Sequence, residues 1–339
     1  MSLVRLSVLD QSAAVTGRDE DASIRETLAL ARLCDAWGYH RFWLSEHHGH
    51  PAIVGTAPEV LMAAVAVQTS RMRVGSAGIM LPHYSTLKVA EQFRVLEALA
   101  PGRIDLGVGR APGSDMRTAL ALNPNAYHAA ERFPQQVLEL QALLAGTPMP
   151  PDSPGRSISA HPRGAGMPEL WMLGSSDYGA QLAAHLGWPY AFAWFFSDGQ
   201  GADTAMKLYR RLFQPSERLA RPHATICVFA LAADTEEAAW HAFASRERWR
   251  LDRQRGHLGP LLSPEEALAH TPDASEREQL EQMRRVAAVG TAGQVAEKLH
   301  ALADRFELDE LVIVTWAHDP AVRSRSYELL ARQFELGTR

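Results

Sequence analysis

Cysteine is nearly absent from this chain: Cys34 and Cys227 stand alone among 339 residues. Two separated thiols form neither a disulfide framework nor a metal cluster, and they suit a reducing compartment, so a cytoplasmic location is expected. No apolar run approaches the ~18 residues that would cross a bilayer, and no basic stretch followed by an apolar one opens the chain. Neither membrane insertion nor export is therefore expected. A basic excess is missing as well. The 34 Lys and Arg are outnumbered by 39 Asp and Glu for a net charge of −5, and both signs are spread along the chain. Nothing in that balance favours a nucleic-acid or anionic-membrane partner.

What is present is apolar residue in quantity: 46% hydrophobic against 22% charged, enough for a large core. At ~150 residues per domain the length would allow two domains, but a single α/β barrel also reaches this size. Short apolar runs alternate with longer amphipathic ones. Strands are expected at 3–9, 41–44, 73–79, 103–108, 170–173, 190–193, 224–232 and 310–314. Helices are expected at 23–37, 58–68, 87–99, 131–144, 178–185, 203–213, 235–249, 291–306 and 320–334. Two stretches break the rhythm: a Pro-, Gly- and Ser-rich excursion at 147–168, after the fourth βα unit, and charged, helical pieces at 250–290. Eight strands paired with helices imply a closed parallel (β/α)8 barrel, residues 1–339 forming one domain. An open doubly wound sheet is the alternative, since strand order is not written in the sequence.

In such a barrel the residues just after each strand line the active face. Here they are polar, small or aromatic: Ser12 after the first strand, Ser45, Glu46, His47 and His48 after the second, Ala77 and Gly78 at the third. Gly109 and Arg110 follow the fourth, Gly174, Ser175 and Ser176 the fifth, Trp194 and Phe195 the sixth, and Thr315 and Trp316 the last. Arg110 offers a planar fork of donors beside bare glycine backbone, which suits a phosphate. Ser175 and Ser176 open a helix whose free N–H groups form a second anion seat, although Ser and Asp also cap helices that bind nothing. Gly107 and Gly109 imitate a dinucleotide fingerprint, but the third glycine falls at Gly113, one place late, and opens no helix. His47, His48 and His50 invite a metal, yet later strand ends add only His318 nearby, short of the three or four ligands a site needs.

Four motifs in order resemble the bacterial luciferase-like flavin monooxygenases: Ser45 to His48, Gly75 to Pro82, Pro101 to Asp115, and Leu173 to Gly179. The likeness runs from the first strand to the last helix, and is nearest to luciferase-like oxidoreductases of unassigned substrate. It implies a barrel that takes reduced FMN at the C-terminal face of its strands, reacts it with O2 and oxygenates a small organic substrate. A separate flavin reductase and a homodimer, paired through the helices beside strands two and three, are implied in the same way. Arg110 matches the family's arginine on the FMN phosphate, and Ser175 and Tyr178 match the helix start that completes the seat. Gly109, Gly174 and Ser176 flank it. Ala77–Gly78 matches a non-proline cis peptide against the flavin ring, and His47 the histidine that steadies the flavin's oxygen adduct. Ser12, Trp194, Phe195 and Trp316 are expected to wall the substrate pocket, with 250–290 as a helical lid. Where luciferases carry a cysteine beside the arginine, this chain has Gly109, so long-chain aldehyde chemistry is not carried over. The same fold also hosts deazaflavin-dependent hydride-transfer enzymes and flavin-binding members without catalysis, which stand as the alternatives. No metal is expected.

Overall fold

The computed structural model describes residues 4–110 and 115–337; Leu3 and the Ala111, Pro112, Gly113 and Ser114 part of the fourth motif lie outside them. The first half of the chain alternates β1 (Arg5–Asp10), α1 (Glu20–Trp37), β2 (Arg41–Leu44), α2 (Pro58–Gln68), β3 (Arg73–Met80), α3 (Thr86–Leu99) and β4 (Ile104–Gly109). Two short helices, α4 (Met116–Leu122) and α5 (Ala126–Ala129), precede α6 (Phe133–Ala145). Then come β5 (Glu169–Gly174), α7 (Asp177–Leu186), β6 (Tyr190–Ala193), α8 (Ala202–Leu212), β7 (Ala224–Ala233) and α9 (Glu236–Gln254). The chain closes with α10 (Pro264–Leu268), α11 (Ala274–Val286), β8 (Ala288–Thr291), α12 (Ala292–Phe306), β9 (Glu310–Val314) and α13 (Pro320–Gln333).

Strands β1 to β7 and β9 pair in parallel around a closed ring, β6 meeting β7 and β9 meeting β1. The eight barrel strands are those expected from the apolar runs. The ninth, β8, was not expected: Ala288 to Thr291 pair in parallel with the far end of β7, Ala230 to Ala233, outside the ring. Four residues of small side chain are too short to announce a strand by periodicity, and only the overhang of β7 makes them one.

The strand period of two separates two cores. Inward residues such as Leu9, Trp43, Trp171, Phe229, Val312 and Val314 fill the barrel. Outward residues such as Val8, Phe42, Val74, Leu106 and Ile313 pack under the helices. At the N-terminal end the inside turns ionic. Arg41 reaches Glu310 Oε1 at 3.0 Å and Asp105 Oδ2 at 2.9 Å, while Ser7 and Arg73 supply further donors to the same two carboxylates. Arg41 is 4% exposed, Asp105 and Glu310 not at all. Burial lowers the affinity of Arg41 for its proton, but the Asp105, Glu310 and Glu169 carboxylates outweigh burial and hold its pKa above the usual arginine value. This plug shuts the bottom of the barrel and leaves the C-terminal end for a site.

The 147–168 excursion is held mainly from α3, with Gln135 of α6 adding a bond to Ser153 Oγ at 3.1 Å. Arg94 of α3 donates to the carbonyls of Pro162, Gly164, Gly166 and Leu144. Residues 250–290 form the end of α9, α10, α11 and a crossing segment in which Leu261 pairs with Ala14 and Thr16. None of them belongs to the cavity wall described next, so the insertion braces the loop after β1 rather than roofing that space.

Candidate functional site

A cavity of about 240 Å³ opens at the C-terminal end of β2 to β6. Its wall includes His47, Ala77, Gly78, Gly109, Arg110, Gly174, Ser175, Ser176 and Tyr178. The nine strand-end residues singled out around a phosphate and a ring therefore share one space. The reason is topological: closing a parallel sheet turns all its strand ends to one rim.

At one end of the cavity the exposed Arg110 guanidinium stacks 3.9 Å from the centroid of the Tyr178 ring. Beside it α7 begins, with Ser176 as a cap residue whose side chain makes no capping bond. The first-turn N–H groups of α7 are thus not taken by their own cap, and the helix end is positive. Tyr190 donates to the Ser176 carbonyl at 3.3 Å, which fixes the turn from behind. Arg110 and α7 come from neighbouring strands, so a single anion can meet both.

The floor lies between β3 and β4. The Ala77–Gly78 peptide is cis, and the pairing of β3 with β4 slips between Ser76 and Ile79. Ser76 Oγ donates to the Gly107 carbonyl at 2.9 Å and accepts from its amide at 3.1 Å, closing the slipped stretch. A side chain at Gly78 would meet Leu173 at 2.3 Å and the Gly107 carbonyl at 2.8 Å. Nothing larger than glycine fits at this point of the floor.

The other end carries Ser45, Glu46 and His47. Glu46 is 1% exposed and fully engaged: Tyr84 donates to Oε1 at 2.6 Å, the Met80 amide to Oε2 at 3.0 Å, and His48 Nε2 lies 2.7 Å from Oε1. Burial and the adjacent Glu46 charge raise the Tyr84 phenol above its usual value. By contrast, Ser45 Oγ and His47 Nδ1 are buried with no hydrogen-bond partner among the described residues. Buried polar atoms are nearly always satisfied, so two on one cavity wall mark where a bound molecule supplies the missing bonds. Burial, then the neighbouring His50, His48 and Arg253, push His47 down to about 4, so it is neutral at pH 7. Burial also brings His40 to about 4.

Those shifts set a pH dependence. The unfolded chain protonates both histidines near pH ~6.5 while the fold keeps them neutral, so stability is complete above that value and declines as pH falls towards 4. The melting temperature should drop across this window, and His47→Asn should flatten the drop. A melting temperature that rises on acidification from pH 6.5 would contradict the assignment.

Three expected wall residues lie elsewhere. Ser12 adopts a positive φ of 48° and turns back into its loop, Oγ 2.8 Å from Thr27 Oγ1. The turn after β6 aims Trp194 outward onto Phe306, 5.8 Å between centroids, while the expected Phe195 does line the cavity, joined by Phe196. Trp316 packs edge-on against Trp249 at 4.8 Å. Trp43, Met172, Phe133 and Cys227 are also part of the wall. Trp43, Met172 and Cys227 sit on expected strands whose face the sequence left open; Phe133 enters from α6 with no local signal. The histidines do not converge either. His48 serves Glu46, His50 Nδ1 accepts the Ala52 amide, and His318 Nε2 lies against the Thr16 carbonyl.

Comparison with known proteins bears on this geometry. The family model for luciferase-like monooxygenases matches residues 4–306. A luciferase-like monooxygenase of Escherichia coli (strain K12) is 37% identical, the match covering 96% of both chains. N-acetyl-S-alkylcysteine monooxygenase of Bacillus subtilis (strain 168) is 35% identical over 97% of this chain and 98% of its own. The crystal structure of apo-MsnO8 superposes with a TM-score of 0.89 at 36% identity, covering 99% of this chain and 100% of the other.

Proposed function

The chain belongs to the luciferase-like monooxygenase family, and from that premise we propose that it uses reduced FMN and O2 to oxygenate a small organic substrate. Residues 1–339 act as one barrel domain in this reading, in the cytoplasm, with reduced FMN drawn from a separate flavin reductase. One observation carries it above all: an anion seat and two buried polar atoms without a partner among the described residues line a single cavity.

The residues fit the cofactor. Arg110, Ser175, Ser176 and the Tyr178 backbone would hold its phosphate, and Ala77, Gly78 and Gly109 would lie along its ring. When bound, reduced FMN supplies the electrons and the O2 reactivity that amino-acid side chains lack. The chain does the rest. Neutral His47 can give or take a hydrogen bond at Nδ1, and Ser45 Oγ offers a second donor at the reacting end. The Glu46, Tyr84 and His48 cluster braces the loop that carries both. Phe195, Phe196 and Met172 give the cavity apolar wall, which limits loss of oxygen equivalents to water.

Titration calorimetry with FMN, oxidised and reduced, tests the seat. Arg110→Ala should weaken FMN about 10- to 100-fold, the effect of losing a charge-assisted hydrogen-bonding group. Unchanged affinity removes Arg110 from the seat. A wild-type chain that takes a deazaflavin and ignores FMN would move the reading to hydride transfer.

A homodimer fits the same reading. Helix α2 exposes Val60 and Val67, at 64% and 65%, and α3 exposes Val95 and Leu99, a larger apolar face than a lone surface needs. Val60→Glu with Val67→Glu should turn a dimeric mass in light scattering into a monomeric one; a wild-type monomer ends the proposal.

A further inference from the structure

Strands β1 and β2 carry their inward faces up to the rim of the cavity. Their parallel register pairs Leu9 with Trp43 and Asp10 with Leu44, and Leu9 and Trp43 both fill the barrel. Two residues further on, the same face presents Gln11 beside Ser45. Both line the cavity. Both are buried, Gln11 at 4% exposure and Ser45 at 3%.

The turn that displays Gln11 is pinned on both sides. Asp10 Oδ1 accepts from the Ser12 amide at 2.8 Å and the Thr27 hydroxyl at 2.7 Å, and Arg323 lies 3.2 Å from Oδ2. The Asp10 carbonyl accepts from the Ser45 amide at 3.1 Å, which ties the two strand ends together. Yet the Gln11 side chain makes no hydrogen bond to any described residue, and Ser45 Oγ makes none either. A carboxamide offers donors and an acceptor at once, and burying it is costly unless something meets them. Two neighbouring polar side chains that bond neither each other nor the rest of the described chain are set for a third party.

Charge narrows what that third party is. Among the described wall residues only Arg110 and Glu46 are charged at neutral pH: His47 is held down to about 4, and burial pushes the Cys227 thiol well up. Glu46 is committed to Tyr84, Met80 and His48. Arg110 follows β4, three strands round the ring from β1, and belongs to the anion seat. An ionic group beside Gln11 and Ser45 would meet no counter-charge there, whereas an uncharged carbonyl or amide would have its hydrogen bonds returned.

We propose that the substrate is an uncharged organic molecule with an amide head, and that Gln11 is the residue that selects it. The Gln11 carboxamide matches a –CO–NH– edge two-pronged, donating to the carbonyl and accepting from the N–H. Ser45 Oγ can add a bond beside it, and the rest of the molecule meets apolar wall such as Trp43 and Met172. That this ligand is the substrate rests on the oxygenase reading; that Gln11 holds an uncharged amide does not.

The probes are hexanamide and its charged isostere hexanoate. They are titrated calorimetrically into the full chain saturated with FMN, and into flavin-free Arg110→Ala, which has no cation in the anion seat. In both, hexanamide should bind at millimolar concentration and hexanoate at least roughly 10-fold more weakly. Gln11→Met, close in shape, should weaken hexanamide about 3- to 10-fold, the loss of neutral hydrogen bonds, and leave FMN affinity unchanged. Because the methionine removes an amide without a partner, that variant should also melt at or above the wild-type temperature without ligand. A glutamine that only braced the turn would do the reverse. Gln11→Glu should admit hexylammonium, which the wild type refuses. Equal binding of hexanamide and hexanoate, no binding of hexanamide, or hexanamide binding untouched by Gln11→Met overturns the proposal. So does a Gln11→Met that loses FMN and keeps hexanamide, which would assign the amide to the flavin. The flavin-free arm tests Gln11 by itself, so a failure to bind FMN counts against the oxygenase reading alone.

Discussion

Arg41→Met is expected to destabilise the fold by about 3–5 kcal/mol, the cost of removing one partner from a buried ion pair. The number follows from what stays behind. Asp105 would still receive Arg73 and the Trp43 indole N–H, at 2.8 and 2.9 Å. Glu310 would keep only the Ser7 hydroxyl at 2.5 Å, with His40 and His223 no closer than 4.0 Å. A fully buried carboxylate cannot hold its charge on one hydroxyl, so the variant should be relatively less unstable in acid, where Glu310 can take a proton. Arg41→Met with Glu310→Gln should recover part of the loss, because the orphaned charge is gone. Urea denaturation at neutral and mildly acid pH measures all three. An Arg41→Met loss under ~1 kcal/mol would mean that the plug is solvated and the account wrong.

Gly107→Ala should be about as damaging, at ~3–5 kcal/mol, whereas Gly109→Ala should stay within ~0.5 kcal/mol. The two glycines are two residues apart on β4 and look alike in sequence. A Cβ at Gly107 would stand 2.3 Å from the Ser76 carbonyl and 2.6 Å from Leu173. The first of these is backbone, in the slipped stretch that carries the cis peptide, so relief means moving the cavity floor. A Cβ at Gly109 would meet none of the described residues within 4 Å, because it lines the cavity. Gly109→Ala should thus alter ligand affinity and leave folding alone. Melting temperatures and FMN titrations of the two variants separate the effects. Equal stabilities would show that β4 can shift to make room.

Those glycines show how far the sequence could be read. Their spacing imitated a nucleotide fingerprint, and the misplaced Gly113 was enough to set that reading aside; why Gly107 is glycine appears only when Ser76 lies against it. The anion seat was legible because its parts are local, an arginine at a strand end and a serine pair at a helix start. The substrate side was not. Of the two aromatic residues expected after β6, the turn keeps Phe195 on the cavity and sends Trp194 away, and a single rotation of that kind has no signature in composition.

The eight barrel strands, the helices between them and the polar strand ends were determined by the sequence itself, because burial on alternate sides of a strand or one side of a helix is a property of neighbours in the chain. Tertiary closure alone decided which strand ends share a cavity, which charges find partners and which remain unmatched. Those outcomes depend on distances between residues far apart in sequence, and no local pattern encodes them.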